Sequence, residues 1–254
     1  MSKKIRNELK INPFTYTTAV SIEMSNICNY SNCHERCPLF HVKEKKILSL
    51  IAIEKILIEL GKYDFSGIIY PFNYSEPLID PRFYVVLDLI KKHVPKAYVS
   101  FYTNGFFFDE TILEELIDRG VKRIDISYYD KNEEARLRPI LNRARERKED
   151  RIILRGYRRY PCNVYMNDKV DWYDNEPINL NLKCSAPINY IVINADGNVT
   201  LCCHDWKSMH TFGSIHVKSL FKIVNSEKMI ETFLKLLEGK RSEVFLCSKC
   251  TKHR

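Results

Sequence analysis

The stretch Cys28-Asn29-Tyr30-Ser31-Asn32-Cys33-His34-Glu35-Arg36-Cys37 places three cysteines in one short loop and constrains the chain more than any other segment. Thiolates are soft ligands that favour iron-sulfur clusters and zinc, and a tight loop can turn three of them toward one point. The number of thiolates decides what such a centre can do. On a cubane cluster of four irons, three thiolates leave one iron open to a further ligand. A zinc site completed by a distant His or Cys is the alternative.

Alternating strand-like and helix-like runs surround this loop. Thr17 to Ser25 is β-rich and leads directly into it; Ile47 to Tyr63 then has helical spacing of apolar residues. Gly67 to Phe72, Ala97 to Thr103, Arg123 to Tyr129 and Ile152 to Gly156 read as further strands. Asp80-Pro81 predicts an N-cap and first helical proline for a helix to about His93, closed by Pro95. Asp109 caps a helix ending at Arg119-Gly120, and a charged helix spans about Glu133 to Lys148, with Pro139 as a point of kinking or interruption.

Repeated strand-helix-strand units predict parallel strands with right-handed crossovers, too few to close an eight-stranded barrel. The expected fold is α/β: an open, partial (β/α) barrel over residues 17–175, preceded by an extension (1–16) and followed by a small domain (176–254). Ligands of parallel sheets bind beyond the carboxyl ends of the strands. The candidates there are the cysteine loop, Asn73 to Glu76, Asn104, Ser127 and Arg155.

Composition narrows the class. The 254 residues are 45% hydrophobic and 28% charged, as in an ordinary globular chain, and the longest apolar run is broken by Glu54, Lys55 and Glu59. MSKKIRNELK has no apolar core, so no secretory signal is expected, and nine cysteines then point to reduced, metal-binding thiols in the cytoplasm. The net charge of +8 gathers at Arg136, Arg138, Arg143, Arg145, Arg147, Lys148, Arg151, Arg155, Arg158 and Arg159, interleaved with Glu146, Glu149 and Asp150. That pattern predicts a solvated helix face, with an anion-binding wall as the alternative. Only Tyr157 and Tyr160 could serve as stacking platforms, so nucleic acid is not the expected partner.

A second thiol set lies near the carboxyl terminus: Cys184, Gly197 after twelve residues, Cys202 after four more, then Cys247-Ser248-Lys249-Cys250. Asn194-Ala195-Asp196-Gly197 predicts a hairpin turn between Tyr190 to Ile193 and Val199 to Cys202, and Ser219 to Leu237 a returning helix. Four thiolates leave no open iron, which suits electron transfer, although Cys-x-x-Cys also holds structural zinc. Cys203, next to Cys202 in a strand, should face the other way, and Cys162 reads as a buried thiol.

Over residues 17 to 130 the chain resembles the radical S-adenosylmethionine (SAM) enzymes: a cysteine triad after the first strand, Glu-Pro-Leu after the second, Thr-Asn-Gly after the third and a serine in the fourth. The resemblance implies that Cys28, Cys33 and Cys37 hold a [4Fe-4S] cluster whose open iron binds SAM. It also implies that Glu76 holds the SAM amine, that Asn104 and Ser127 reach its ribose or carboxylate, and that Arg155 pairs with the carboxylate. The chain departs from the family twice. Tyr74-Ser75-Glu76 stands where the family has Gly-Gly-Glu, and the triad is spaced by four and three residues rather than three and two, which keeps His34 as a substitute for Cys33. The second set resembles the twitch form of the SPASM domain, which implies an auxiliary [4Fe-4S] cluster on Cys184, Cys202, Cys247 and Cys250.

The likeness implies SAM cleavage to a 5'-deoxyadenosyl radical, removal of a substrate hydrogen and passage of an electron to the auxiliary cluster, with reduced flavodoxin or ferredoxin as donor. Twitch-bearing radical SAM alcohol dehydrogenases suggest a sugar- or cyclitol-like small molecule, and the basic run would suit an anionic one. A peptide-modifying enzyme or epimerase is one alternative, and a zinc-binding nucleic-acid module another. The residues identify no general base; His204, Asp205 and Tyr157 are candidates by location only.

Overall fold

A computed structural model of the chain describes residues 2–32, 37–42, 44–146, 152–156 and 179–250. Strands β1 (Ala19–Ile22), β2 (Ile68–Tyr70), β3 (Tyr98–Thr103), β4 (Arg123–Tyr128) and β5 (Ile152–Gly156) pair in parallel, each with the next. On the other side of β1, β6 (Tyr190–Ile193) also pairs in parallel, and β7 (Asn198–Thr200) and β8 (Thr211–Ser214) continue antiparallel. The result is one eight-stranded sheet in the order β5-β4-β3-β2-β1-β6-β7-β8. Among the described residues its edges β5 and β8 do not pair, so the barrel is open and partial, as expected. The carboxy-terminal hairpin extends the same sheet, which puts the ends of β1 and β6 side by side.

Eight helices complete the described fold: α1 (Ser2–Ile11), α2 (Pro38–His41), α3 (Leu50–Lys62), α4 (Phe83–His93), α5 (Glu110–Asp118), α6 (Lys131–Glu146), α7 (Leu220–Val224) and α8 (Glu227–Leu237). No helix among the described residues is long and apolar enough to cross a membrane. Helix α3 starts three residues later than its apolar pattern predicts. Ser49 caps it by accepting from the Ala52 amide, while Ile47 is drawn into a bridge with Ser25. Its stripe of Ala52, Ile53, Ile56, Leu57 and Leu60 is buried, each large side chain contributing about 1.5–3 kcal/mol. Asp109 caps α5 through the Ile112 amide at 2.8 Å, as predicted.

Asp80 is not the N-cap of α4. It closes a short 3-10 turn (Pro77–Ile79), and its carboxylate takes the Arg82 amide at 3.0 Å and the Arg82 guanidinium at 2.6 Å. That guanidinium also donates to the carbonyls of Leu48 and Met24, clamping the exit of β1. The long helix expected over Ser219 to Leu237 is two: Asn225 ends α7, and Ser226 caps α8 through the Met229 amide. Helix α6 runs through Pro139 without interruption, its side toward the core formed by Leu137, Ile140, Leu141 and Ala144. Arg138 and Arg143 pair with Glu134 and Glu110 on its exposed face, as a solvated face would. Arg136 turns inward to the carbonyls of Phe108 and Gly105. Helix α1, which sequence patterning left unassigned, buries Ile5 and Leu9 and ties Arg6 to Glu227 at 2.7 Å.

Candidate active site

Elements β1 to β4 deliver their following residues to one end of the open barrel. Past β1, the Tyr30 amide donates to the Cys28 sulfur at 3.3 Å and Asn104 Nδ2 approaches it at 3.7 Å. Such N–H donors favour the thiolate a metal requires. Asn104 also holds Asn29 Oδ1 at 2.7 Å, and Tyr30 reaches across to Glu133, whose other oxygen takes the Tyr129 amide at 2.7 Å. The cysteine loop is thereby tied to the turns after β3 and β4. Cys37 stands at the N-terminus of α2; Cys33 and its substitute His34 lie outside the described residues.

Glu76 is buried beside this loop. Its amide donates to the Ile27 carbonyl at 3.0 Å, and its carboxylate accepts from Thr103 Oγ1 (2.7 Å), the Asn104 amide (2.6 Å) and the Leu78 amide (3.1 Å). Burial raises its pKa, and these bonds pull the other way. Three donors on a group with about four acceptor positions leave room for one more. Ser127 lies in β4 directly opposite Arg155 of β5. Ile126 packs near Leu137 of α6, at the point where a Cβ on Gly105 would meet both, so alternation turns Ser127 to the inner face. The Arg155 side chain, Tyr157, Tyr160 and Cys162 lie outside the description, as do the basic residues Arg147, Lys148, Arg151, Arg158 and Arg159.

The second thiol set closes on itself. Cys184, Cys202, Cys247 and Cys250 line one small cavity of about 40 Å³ together with Ala186, Leu201, His204, Asp205, Arg241 and Leu246. The Asn194–Gly197 turn brings Cys202 back, with Gly197 at φ +76° and Asn194 Oδ1 accepting from Asp196 and Asn198. The Cys184 amide bonds to the Leu236 carbonyl at the end of α8. Burial pushes the Cys247 thiol up to about 12, and burial followed by the neighbouring Cys203 raises Cys202 as well. Among the described residues no set of three or more His, Cys, Asp or Glu side chains meets the geometry of a single metal ion.

Strand alternation does not separate Cys203 from Cys202, because β7 ends at Thr200 and both cysteines lie in the turn beyond it. That turn brings the Cys203 carbonyl to the Tyr74 hydroxyl, which donates to it. Burial, then Cys203, Cys202, Glu23 and Cys37, raise the Tyr74 pKa well above its usual value. Glu23, just past β1, completes the bridge by accepting from the Tyr74 amide and the Ala195 amide, each at 3.1 Å. Desolvation lifts the Glu23 pKa to about 7. Of the three location-based base candidates, Asp205 spends its carboxylate on the Met209 and His210 amides, and His204 faces the thiol cavity; Asp205 is raised by burial to about 6.

An open parallel sheet with a cysteine loop at its strand ends and a closed four-thiol domain beside it defines a class. Residues 184–251 match the SPASM family, an iron-sulfur cluster-binding domain. The carboxy-terminal unit is therefore of the SPASM type, and the chain as a whole is similar to radical SAM enzymes. It is 24% identical over 235 residues to the S-adenosyl-L-methionine-dependent 2-deoxy-scyllo-inosamine dehydrogenase of Niallia circulans, covering 91% of each chain. Its fold is similar to that of BtrN in complex with AdoMet and 2-DOIA, at 21% identity, TM-score 0.76 and 93% coverage of both chains. The likeness to anSMEcpe with bound AdoMet is weaker: 13% identity, TM-score 0.56, 92% of this chain and 88% of that one.

The cofactors of this class are SAM and [4Fe-4S] clusters, and the residues present fit them. Asn29 Nδ2 and Ser75 Oγ, next in sequence to Cys28 and Glu76, are buried without hydrogen-bond partners among the described residues, as groups that a polar ligand would satisfy. Four sulfurs around one cavity match a fully ligated cluster. Sequence reading missed Glu23, Arg241 and the reach of Tyr74. Only the replacement of a family glycine by Tyr74 gave any signal.

Proposed function

We propose that the chain dehydrogenates an alcohol carbon of a sugar- or cyclitol-like small molecule. The observation that carries this reading is the four-thiol cavity on the same sheet as the strand-end site. A cluster without an open iron suits electron acceptance, and an acceptor turns hydrogen-atom removal into a two-electron oxidation. When bound to the reduced first cluster, SAM supplies the 5'-deoxyadenosyl radical that takes the substrate hydrogen. In balance, the alcohol carbon loses a hydrogen atom, its hydroxyl a proton and the resulting radical one electron, leaving a ketone.

In this reading Cys28, Cys33 and Cys37 ligate the first cluster and Cys184, Cys202, Cys247 and Cys250 the second. The remaining acceptor position of Glu76 takes the SAM amine, Asn104 and Ser127 take the ribose or carboxylate, and Arg155 pairs with the carboxylate. The boundary between the two functional units falls near residue 175, and reduced flavodoxin or ferredoxin supplies the first electron. The relative named as a 2-deoxy-scyllo-inosamine dehydrogenase supports a cyclitol substrate.

The test is anaerobic reconstitution followed by iron analysis, SAM cleavage under a strong reductant, and a screen of aminocyclitols and sugars for ketone products. About eight irons per chain with 5'-deoxyadenosine formed in step with a ketone is the expected result. Cleavage coupled only to a peptide would move the chain to peptide modification, and bound zinc without SAM cleavage would overturn the enzyme reading.

A further inference from the structure

We infer that Arg241 sets the reduction potential of the auxiliary cluster and makes that cluster a better electron acceptor. The inference rests on the reading above, that Cys184, Cys202, Cys247 and Cys250 hold a [4Fe-4S] cluster. Arg241 is 1% exposed, which is unusual for an arginine, and it lines the same cavity as the four sulfurs. Its Nε donates to the Leu182 carbonyl at 2.8 Å, and its Nη1 lies 3.4 Å from both the Cys250 carbonyl and the Cys250 sulfur. Only a planar guanidinium can reach these acceptors together, since a lysine ammonium is a single point on a flexible stem.

Four thiolates on a cubane core carry net negative charge, and reduction adds one more. A cation in the same water-poor cavity therefore favours the reduced state over the oxidised one, with little screening by salt. The N–H bond to the Cys250 sulfur acts in the same direction by withdrawing electron density from a ligand, and hydrogen bonds to cluster sulfurs are among the factors that set cluster potentials. Asp205 lines the other side with opposite charge, but its carboxylate is directed at the Met209 and His210 amides. The backbone bonds of Arg241 could by themselves be structural, holding Leu182 and Cys250 in place. A purely structural role would affect loading and leave the potential of loaded protein unchanged.

The experiment is a potentiometric titration followed by electron paramagnetic resonance, in a Cys28→Ala, Cys37→Ala background that isolates the auxiliary cluster. Arg241→Gln should lower the one-electron equilibrium constant for reduction at least tenfold, about 59 mV. Arg241→Lys, which keeps the charge but loses the fork, should fall between. Should Arg241→Gln lose its iron, Arg241→Lys carries the titration, and protein labelled with nitrogen-15 arginine should show a hyperfine coupling that Arg241→Lys abolishes. An unmoved potential in a fully loaded variant, or no such coupling, overturns the assignment of Arg241. Absence of a cubane in the background protein itself overturns the cluster reading, and the Arg241 assignment with it.

Discussion

The two cysteine sites of this chain differ in how they are built. The first collects its cysteines from one loop, with Cys28 and Cys37 partly exposed, and takes its support from polar groups at strand ends: Glu76, Asn104 and the Tyr30 amide. The second draws single cysteines and a pair from three distant segments around one small pocket that Arg241 also lines, with Cys250 buried and the other three partly exposed. A loop with polar neighbours can admit a second molecule at an open iron. A pocket assembled from three segments can hold a cluster rigidly, and a rigid site has little reorganisation to make when an electron arrives. The sheet joins them, and Glu23 and Tyr74 cross between them.

The largest effects should come from removing one site while sparing the other. Cys28→Ala should reduce SAM cleavage to background while about four irons remain on the carboxy-terminal set. Cys250→Ala should do the reverse, with 5'-deoxyadenosine still formed but ketone formation lost. Iron analysis with both product assays checks the pair. Equal loss of both activities in both variants would mean that the sites fold as one unit rather than act as two.

Glu23 offers a second way to test the join. Its folded pKa of about 7 lies above the ordinary value of 4.5, so the unfolded chain releases this proton first as pH rises. The Glu23 contribution is therefore most favourable below about pH 4.5 and declines as pH rises through about 7, by about 3 kcal/mol if the whole shift is realised. Glu23→Gln should flatten that part of the stability profile, measured by anaerobic denaturation between about pH 5 and 8. An unchanged slope would assign the pH dependence to other groups.

Glu76 tests the first site alone. Glu76→Gln puts an amide donor where the Thr103 hydroxyl and two backbone N–H groups donate, and it removes the charge offered to a ligand amine. Hydrogen bonds to charged groups are worth about 1.5–3 kcal/mol, so the SAM dissociation constant should rise about 10- to 100-fold. The auxiliary cluster should keep its iron and its spectrum. Unchanged SAM affinity would make Glu76 a brace between the turns after β2 and β3.

The parts that were legible in the sequence were those carried by local pattern. The parallel strands, the Asp109 cap, the Asn194–Gly197 turn and the four-cysteine spacing each have a short-range signature, and each is present in the fold. The misplaced cap at Asp80 arose because its carboxylate is held by Arg82, and the split of the last helix came from Ser226 capping a second start. Contacts across 129 and 172 residues, Tyr74 to Cys203 and Glu23 to Ala195, have no periodicity to reveal them. The same is true of Arg241, which reads as an exposed charge until the fold encloses it.

The departure at Tyr74 gives the smallest predicted effect and the most specific one. The family places glycine there, whereas this chain has a half-buried tyrosine whose hydroxyl bonds to the Cys203 carbonyl, one residue from the expected cluster ligand Cys202. Tyr74→Phe keeps the ring and removes that bond, at a net cost of about 1 kcal/mol. If the bond positions the auxiliary cluster relative to the first site, the loss should fall on transfer between the sites, with both clusters loaded and SAM cleavage intact. The ratio of ketone to 5'-deoxyadenosine should drop about fivefold, the rate equivalent of that energy. An unchanged ratio would make Tyr74 packing alone, leaving Glu23 as the polar link between the sites to examine next.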